Sequence, residues 1–324
     1  MEKTLEIKMT KRFFSDKQIF KTKDKVLENK KIQILSKMGL SGDFYTALCK
    51  DNKNINYVLK IRREKSRKTQ QGFLTEIHVL KKFSKQNIVD LQVPKYLDSY
   101  TILSPEWLIY KFSEGHSVGW WSGFEEWFIN KYIKKLPKLV SAISETKINS
   151  NKIKKTTCNQ TIKVFNKRKK LLKEYLSDEQ IKKGVEILKK NKKVLNKTKL
   201  VLTHGDLHPG NIVLNKKDKL VIIDWFNAHL NNIAFDPCFV WFSLWGYPDE
   251  QKDFLENILE NNSNEKQFKK LFSLNQIILT PKFLEIMNHI KKEISPESEE
   301  YEDVIEAEEV FIKTYKEVLQ NYEK

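Results

Sequence analysis

"VLTHGDLHPGNIVLNKKDKLVIIDW", residues Val201–Trp225, sets His204, Asp206, His208, Asn211 and Asp224 around two short apolar runs. The runs "NIVL" and "LVII" are joined by the polar turn "NKKDK", which predicts a β-hairpin. A symmetric pairing sets Ile212 opposite Ile223, Val213 opposite Ile222 and Leu214 opposite Val221. One step further out, Asn211 falls opposite Asp224. An amide oxygen and a carboxylate at one hairpin mouth suit a hard cation such as Mg²⁺. Asp206 lies five residues before Asn211, in a loop tightened by Pro209 and Gly210, and is a carboxylate left over from the metal pair. One metal pair plus one free carboxylate is what phosphoryl transfer requires: charge neutralisation for the phosphates, and an acceptor for the proton of the attacking hydroxyl. Asp and Asn also favour turns for their own sake, but turn chemistry alone does not account for the whole combination beside two strands.

The pattern H-x-D-x-x-x-x-N followed by I-D-[WF], present as His204, Asp206, Asn211 and Ile223-Asp224-Trp225, resembles the catalytic and metal-binding loops of the aminoglycoside phosphotransferase and choline kinase superfamily, relatives of the protein kinases. The resemblance implies a bilobal protein-kinase-like α+β fold, with an antiparallel-sheet first lobe carrying one main helix and a mostly helical second lobe. It implies that Asp206 is the catalytic base, that His204 supports its loop, and that Asn211 and Asp224 hold Mg²⁺ beside ATP.

The rest of the chain reads consistently with that plan. Residues 31–50, the turn "DNKN" and "INYVLKIRR" form a strand meander, followed by the helical pattern "KTQQGFLTEIHVLKKF" and two short strands, "VPKYLDSY" and "WLIYKFSEG". Lys60 faces away from Leu59 and Ile61, and Glu76, 16 residues later, lies within the apolar stripe of Phe73, Ile77, Leu80 and Phe83. A carboxylate in such a stripe is costly unless paired, which makes Lys60 and Glu76 the expected ion pair on the nucleotide phosphates. Gly39, Ser41 and Gly42 sit between two strands, where backbone amides could approach phosphates or simply turn the chain. By resemblance, backbone groups near Lys111 and Phe112 bind adenine. The division expected is a nucleotide-binding lobe over residues 1–112 and a catalytic, acceptor-binding lobe over 113–324. Residues 1–30 are left as a helix or strand appended to the first.

The net charge is +17 over 324 residues. All of that excess lies in residues 131–199, which hold 22 Lys and Arg against 5 Asp and Glu. Helix-like spacing there fits a solvated helical face better than a nucleic-acid surface, so nucleic acid is not expected as a partner. Cys49, Cys158 and Cys238 show no paired or metal-like spacing, and the N-terminus lacks a signal-peptide core. A cytoplasmic location and no membrane span follow as expectations.

Two stretches leave the acceptor open. "GWWSGFEEWF" carries Trp120, Trp121, Phe124, Trp127 and Phe128 at helical spacing and reads first as core packing, second as a cap on the acceptor. "EISPESEEYEDVIEAEE", residues 293–309, holds nine acids and no Lys or Arg. Beside the cleft it would favour a cationic acceptor, whereas Ser295 as N-cap and Pro296 in the first turn would make it a plain helix start. Relatives often read G-D-P-x-x-D-L after the metal aspartate. This chain has "FDPCFVWF", with Asp236 and Pro237 kept and Phe235 and Val240 at the Gly and second Asp positions. The leading function is ATP-dependent phosphate transfer to a hydroxylated small molecule such as an aminoglycoside, choline or a sugar. A kinase of a protein or surface glycan, and a non-catalytic basic pseudokinase, are the alternatives. Oligomeric state is not legible.

Overall fold

The structure, a computed structural model, describes residues 13–40, 43–86, 91–102, 104–121, 123–148 and 150–322. In chain order it contains α1 (Asp16–Lys30), β1 (Ile32–Leu40), β2 (Phe44–Asp51), β3 (Asn56–Arg62), α2 (Arg67–Phe83), β4 (Tyr96–Tyr100), β5 (Trp107–Lys111) and β6 (Gly115–Ser117). There follow α3 (Glu126–Tyr132), α4 (Leu136–Glu145), α5 (Cys158–Lys167), α6 (Lys169–Leu172), α7 (Asp178–Lys190), α8 (Lys192–Lys197), β7 (Leu200–Thr203), β8 (Ile212–Asn215), β9 (Leu220–Ile222) and β10 (His229–Asn232). The chain closes with α9 (Phe235–Ser243), α10 (Pro248–Glu260), α11 (Glu265–Lys291) and α12 (Glu299–Asn321). This is the α+β plan read from the sequence.

Two compact units result, Met1–His116 with Val213–Ala228, and Ser117–Ile212 with His229–Lys324. The boundary expected after residue 112 falls four residues later. The segment Val213–Ala228, assigned by sequence to the second lobe, belongs to the first unit. The reason is the pairing of its side chains: Asp224 bonds to Lys60, and Phe226 packs on Phe44.

The first unit is an antiparallel sheet of order β1-β2-β3-β5-β4. Strand β3 is central, and Val58 through Arg62 are all buried, so it is covered on both faces. On one face Leu59 and Ile61 pack with Ala47, Cys49 and Ile109 under Ile19 and Val26 of α1. Of the stretch 1–30 left open between helix and strand, residues 16–30 are a helix, and residues 1–12 lie outside the described residues. A capping box of Ser15 and Gln18 starts α1, and Lys31 ends it in the left-handed region at φ 53°. The opposite face receives Lys60. Helix α2 buries Phe73, Glu76, Ile77, Leu80 and Phe83, the stripe expected of it.

The second unit is mostly helical, with the two-stranded pair β7–β10 leading into the loop that begins at His204. Its basic segment is a series of short helices rather than long ones. In α7, Ile181, Val185, Ile187 and Leu188 are buried while Lys182, Lys189 and Lys190 are exposed, which is the solvated-face arrangement. The acidic stretch starts α12, but the cap is Ser298 rather than Ser295, and the side chain of Ser298 accepts from Tyr301 N. Pro296 therefore precedes the helix instead of opening it. No helix among the described residues is long and apolar enough to cross a membrane.

Candidate active site

In the first unit the lysine expected to touch phosphate is held by two carboxylates. Lys60 Nζ donates to Glu76 Oε2 at 2.8 Å and to Asp224 Oδ1 at 2.9 Å. Period-two alternation in β3 turns Lys60 away from the Leu59–Ile61 face, and Glu76 reaches it from α2. Burial alone would push the Lys60 ammonium down, but Asp224 and Glu76 outweigh it and hold the pKa above the usual lysine value. Burial drives Glu76 upward, and Lys60 restrains it.

Asp224 lies just past β9, in the left-handed region at φ 57°, ψ 64°. Ile223 and Asp224 thus fall outside the strand, and Asp224 does not continue a hairpin ladder. Its neighbours fix it. Trp225 is fully buried, donates Nε1 to Ile222 O at 3.0 Å and packs 5.0 Å from the Phe83 ring. Phe226 fills the space left by Gly72 of α2, where an added Cβ would stand 2.5 Å from the Phe226 ring. The pairing of Asp224 with Lys60 has no local sequence signal, since 164 residues separate them.

The phosphate-loop candidates fare unevenly. Gly39 lies within β1, opposite Thr46 beside an irregularity in the register, while Ser41 and Gly42 lie outside the described residues. Lys111 ends β5, an interior strand of the sheet, and Phe112 follows it; Lys111 N donates to Lys95 O at 2.8 Å and Phe112 N to Asn56 O at 3.0 Å. Both backbone amides are thus engaged within the protein.

In the second unit, β7 leads into His204, Gly205 and Asp206. Asp236, the second residue of α9, clamps this turn: its Oδ2 accepts from His204 N at 2.6 Å and its Oδ1 from Gly205 N at 3.1 Å. Gly205 has φ 78°, a conformation that favours glycine. Asp236, one of the two residues kept from the relatives' pattern, is therefore bonded to the backbone of the loop. Asp206 is 6% exposed. Its carbonyl accepts from His208 N and Asn211 Nδ2, each at 2.9 Å. The second bond fixes the Asn211 carboxamide with its oxygen as the remaining acceptor, the atom type a hard cation takes.

Lys282 of α11, with no counterpart in the sequence reading, donates to Asp206 Oδ1 at 2.7 Å and lies 4.5 Å from the Phe239 ring centre. Burial would raise Asp206, but Lys282 outweighs it and holds the carboxyl below the usual aspartate value. Lys282 follows Pro281 in a helix interior, 76 residues from Asp206. Only long-range placement could reveal it.

The tryptophan stretch departs from the core reading. Phe124 and Phe128 are buried, but Trp120, Trp121 and Trp127 are 69%, 44% and 42% exposed. Trp121 stacks on His208 with ring centres 4.0 Å apart.

Among the described residues no group of three or more His, Cys, Asp or Glu could hold a metal by itself. The Asn211 amide oxygen and the Asp224 carboxylate are each, taken singly, of the oxygen donor type that Mg²⁺ accepts.

The family model described as "Phosphotransferase enzyme family" matches residues 39–268. No curated protein matches the chain. Among solved structures it is similar to a thermostable mutant of aminoglycoside phosphotransferase APH(4)-Ia in complex with ADP and hygromycin B, at TM-score 0.60 and 10% identity over 90% of this chain and 97% of the other. It is similar, too, to the GDP complex of wild-type aminoglycoside 2'-phosphotransferase-IIIa, at TM-score 0.60 and 13% identity over 93% and 99%. Identities this low speak for a shared kinase-like fold.

Proposed function

Since the chain belongs to the phosphotransferase enzyme family, we propose that it transfers the γ-phosphate of ATP to a hydroxyl of a small molecule. The observation that carries this reading is the buried Lys60, bonded at once to Glu76 and Asp224. A lysine ammonium on a central strand, oriented by one buried acid and in reach of a second, is the arrangement that grips nucleotide phosphates. A structural ion pair needs only one carboxylate; here a second, 48% exposed, joins the same ammonium.

In the proposed reaction Asp206 accepts the proton of the acceptor hydroxyl. The freed oxygen attacks the γ-phosphorus, and the bond to the β-phosphate oxygen breaks to release ADP. Lys60 binds the α- and β-phosphates, and Glu76 keeps it extended. His204 and Asp236 hold the Asp206 turn in shape through backbone and packing. Asp224 and Asn211 would hold Mg²⁺, which when bound neutralises charge on the transferring phosphates. Backbone groups near Lys111 and Phe112 bind the adenine. Residues 1–116 with 213–228 take the nucleotide role, and the second unit the acceptor role.

The test is a pair of variants read by ADP release and by calorimetric titration of nucleotide. Asp206→Asn is expected to lower kcat by about 10²–10⁴-fold, the usual worth of a positioned base, with Mg·ATP affinity retained. Asp224→Ala is expected to abolish the Mg²⁺ dependence of ATP binding. Wild-type kcat in the first, or unchanged Mg²⁺ dependence in the second, would sink the assignment.

A further inference from the structure

Trp121 is half exposed, and its ring is stacked 4.0 Å from that of His208. His208 is itself tied to the proposed base, two residues away, through the 2.9 Å bond from its N–H to the Asp206 carbonyl. The residues flanking the tryptophan are tied to one another and to the loop at Pro209. Trp120 N donates to Gly123 O at 2.9 Å, and Ser117 Oγ bonds to Gly119 O at 2.7 Å and Pro209 O at 3.2 Å. A Cβ on Gly119 would meet Pro209 Cβ at 2.8 Å, and one on Gly210 would meet the His208 ring at 2.9 Å. A large flat ring is thus fixed against the catalytic loop with one face covered by His208. Leaving Trp120 and Trp121 in water forgoes the burial such side chains usually gain, so a wet indole held this firmly needs a reason.

A flat indole recognises either a cation or the C–H face of a saturated ring. Lys282 decides between them. Its ammonium already sits 2.7 Å from Asp206 Oδ1, so the charge of the base is met before any acceptor arrives. An acceptor amine close to its reacting hydroxyl would bring a second cation to one carboxylate, and like charges at such range repel. A neutral ring incurs no such repulsion, and a carboxylate on the ring would be attracted by Lys282. The surplus positive charge of residues 131–199 lies in the same unit and has the same sign preference.

Resting on the phosphotransferase reading above, we propose that the acceptor is a neutral or anionic sugar-like ring, stacked on Trp121, with no ammonium near the hydroxyl that takes the phosphate. Trp121 is the ring platform, and Lys282 is the residue that selects against amino sugars and choline-like amines.

The test uses matched probes with the full chain and Mg²⁺ plus a non-hydrolysable ATP analogue: glucose, glucuronate and myo-inositol against glucosamine and choline. Binding is read by tryptophan fluorescence and calorimetry. Wild type is expected to bind a neutral or anionic probe at least about tenfold more tightly than its amine counterpart, a modest charge discrimination of the kind one unmet repulsion produces. Trp121→Leu, which keeps apolar bulk without the flat ring, is expected to weaken that binding about tenfold or more. Lys282→Gln is expected to erase the preference between glucose and glucosamine. Preference for an amine, binding indifferent to Trp121→Leu, or no binding by any probe overturns the proposal. ADP release, read with ATP in place of the analogue, separates the two readings. Trp121-dependent binding with no turnover would count against the phosphotransferase reading and leave this one standing. Turnover of glucosamine or choline in preference to the uncharged probes would do the reverse, and would return attention to the acidic start of α12.

Discussion

Lys60 is held by two carboxylates of unequal standing, Glu76 at 1% side-chain exposure and Asp224 at 48%. The first bond is shut away from water and the second is open to exchange. Removing one partner of a buried pair strands the other, at a cost of about 3–5 kcal/mol. Lys60→Ala and Glu76→Ala should therefore each lower stability strongly, while the double variant should be far less than the sum; denaturant midpoints for the three proteins check this. Additive losses would mean that the two residues act independently. The pair was legible in the sequence because a glutamate stood inside an apolar stripe, 16 residues after a strand lysine. Asp206 and Asn211 were legible because a short motif fixes them. Lys282 and the Asp224 bond were not, since nothing within a few residues of Lys282 marks it as a partner of a loop 76 positions away.

Helix α2 and the turn after β9 were foreseen as elements, but not the way they fit. Gly72 lies one helical turn before Glu76, and the Phe226 ring occupies the place of its missing side chain. Two effects oppose each other in Gly72→Ala. Alanine gains about 1 kcal/mol over glycine in a helix interior, whereas forcing a methyl into a filled space costs about 1–3 kcal/mol. With a 2.5 Å approach the clash should win, so the variant is expected to melt at a lower temperature than wild type. Because Phe226 is two residues from Asp224, it should also bind Mg·ATP more weakly. Adding Phe226→Leu, which vacates the ring, should recover part of the loss in stability. A Gly72→Ala protein that is more stable than wild type would show that the ring yields without cost. The same scale shows where pattern reading fails. The tryptophans at helical spacing fall in a hairpin ahead of α3 as well as within it, and spacing cannot distinguish a stripe that packs inward from one divided between a loop and a helix.

The molecule as a whole keeps its three thiols inside: Cys49 and Cys238 are fully buried, and Cys158 is 1% exposed. Burial pushes the Cys49 thiol up to about 11, and Cys238 and Cys158 upward as well. Since the folded value of Cys49 lies above its ordinary value of 9.0, the stabilisation is complete below pH 9 and lost as pH rises towards about 11. A disulfide reagent at pH 8 should thus label native protein very slowly and unfolded protein at three positions, and urea midpoints should fall between about pH 9 and 11. Rapid native labelling would contradict the packing under α1. The broad plan, sheet then helices, followed from hydrophobic periodicity, but the return of Val213–Ala228 to the first unit did not, because periodicity carries no record of which sheet a strand joins. That return has a consequence for the chain as it is made. A ribosome adds about 5–20 residues per second, so roughly 10–30 s pass between the synthesis of Lys60 and that of Asp224, 164 positions later. For most of that interval α2, made soon after Lys60, has the seat at Gly72 unfilled, and the first unit awaits its last piece. Nascent chains stalled before residue 213 should remain protease-sensitive at α2, and those released past Ala228 should not.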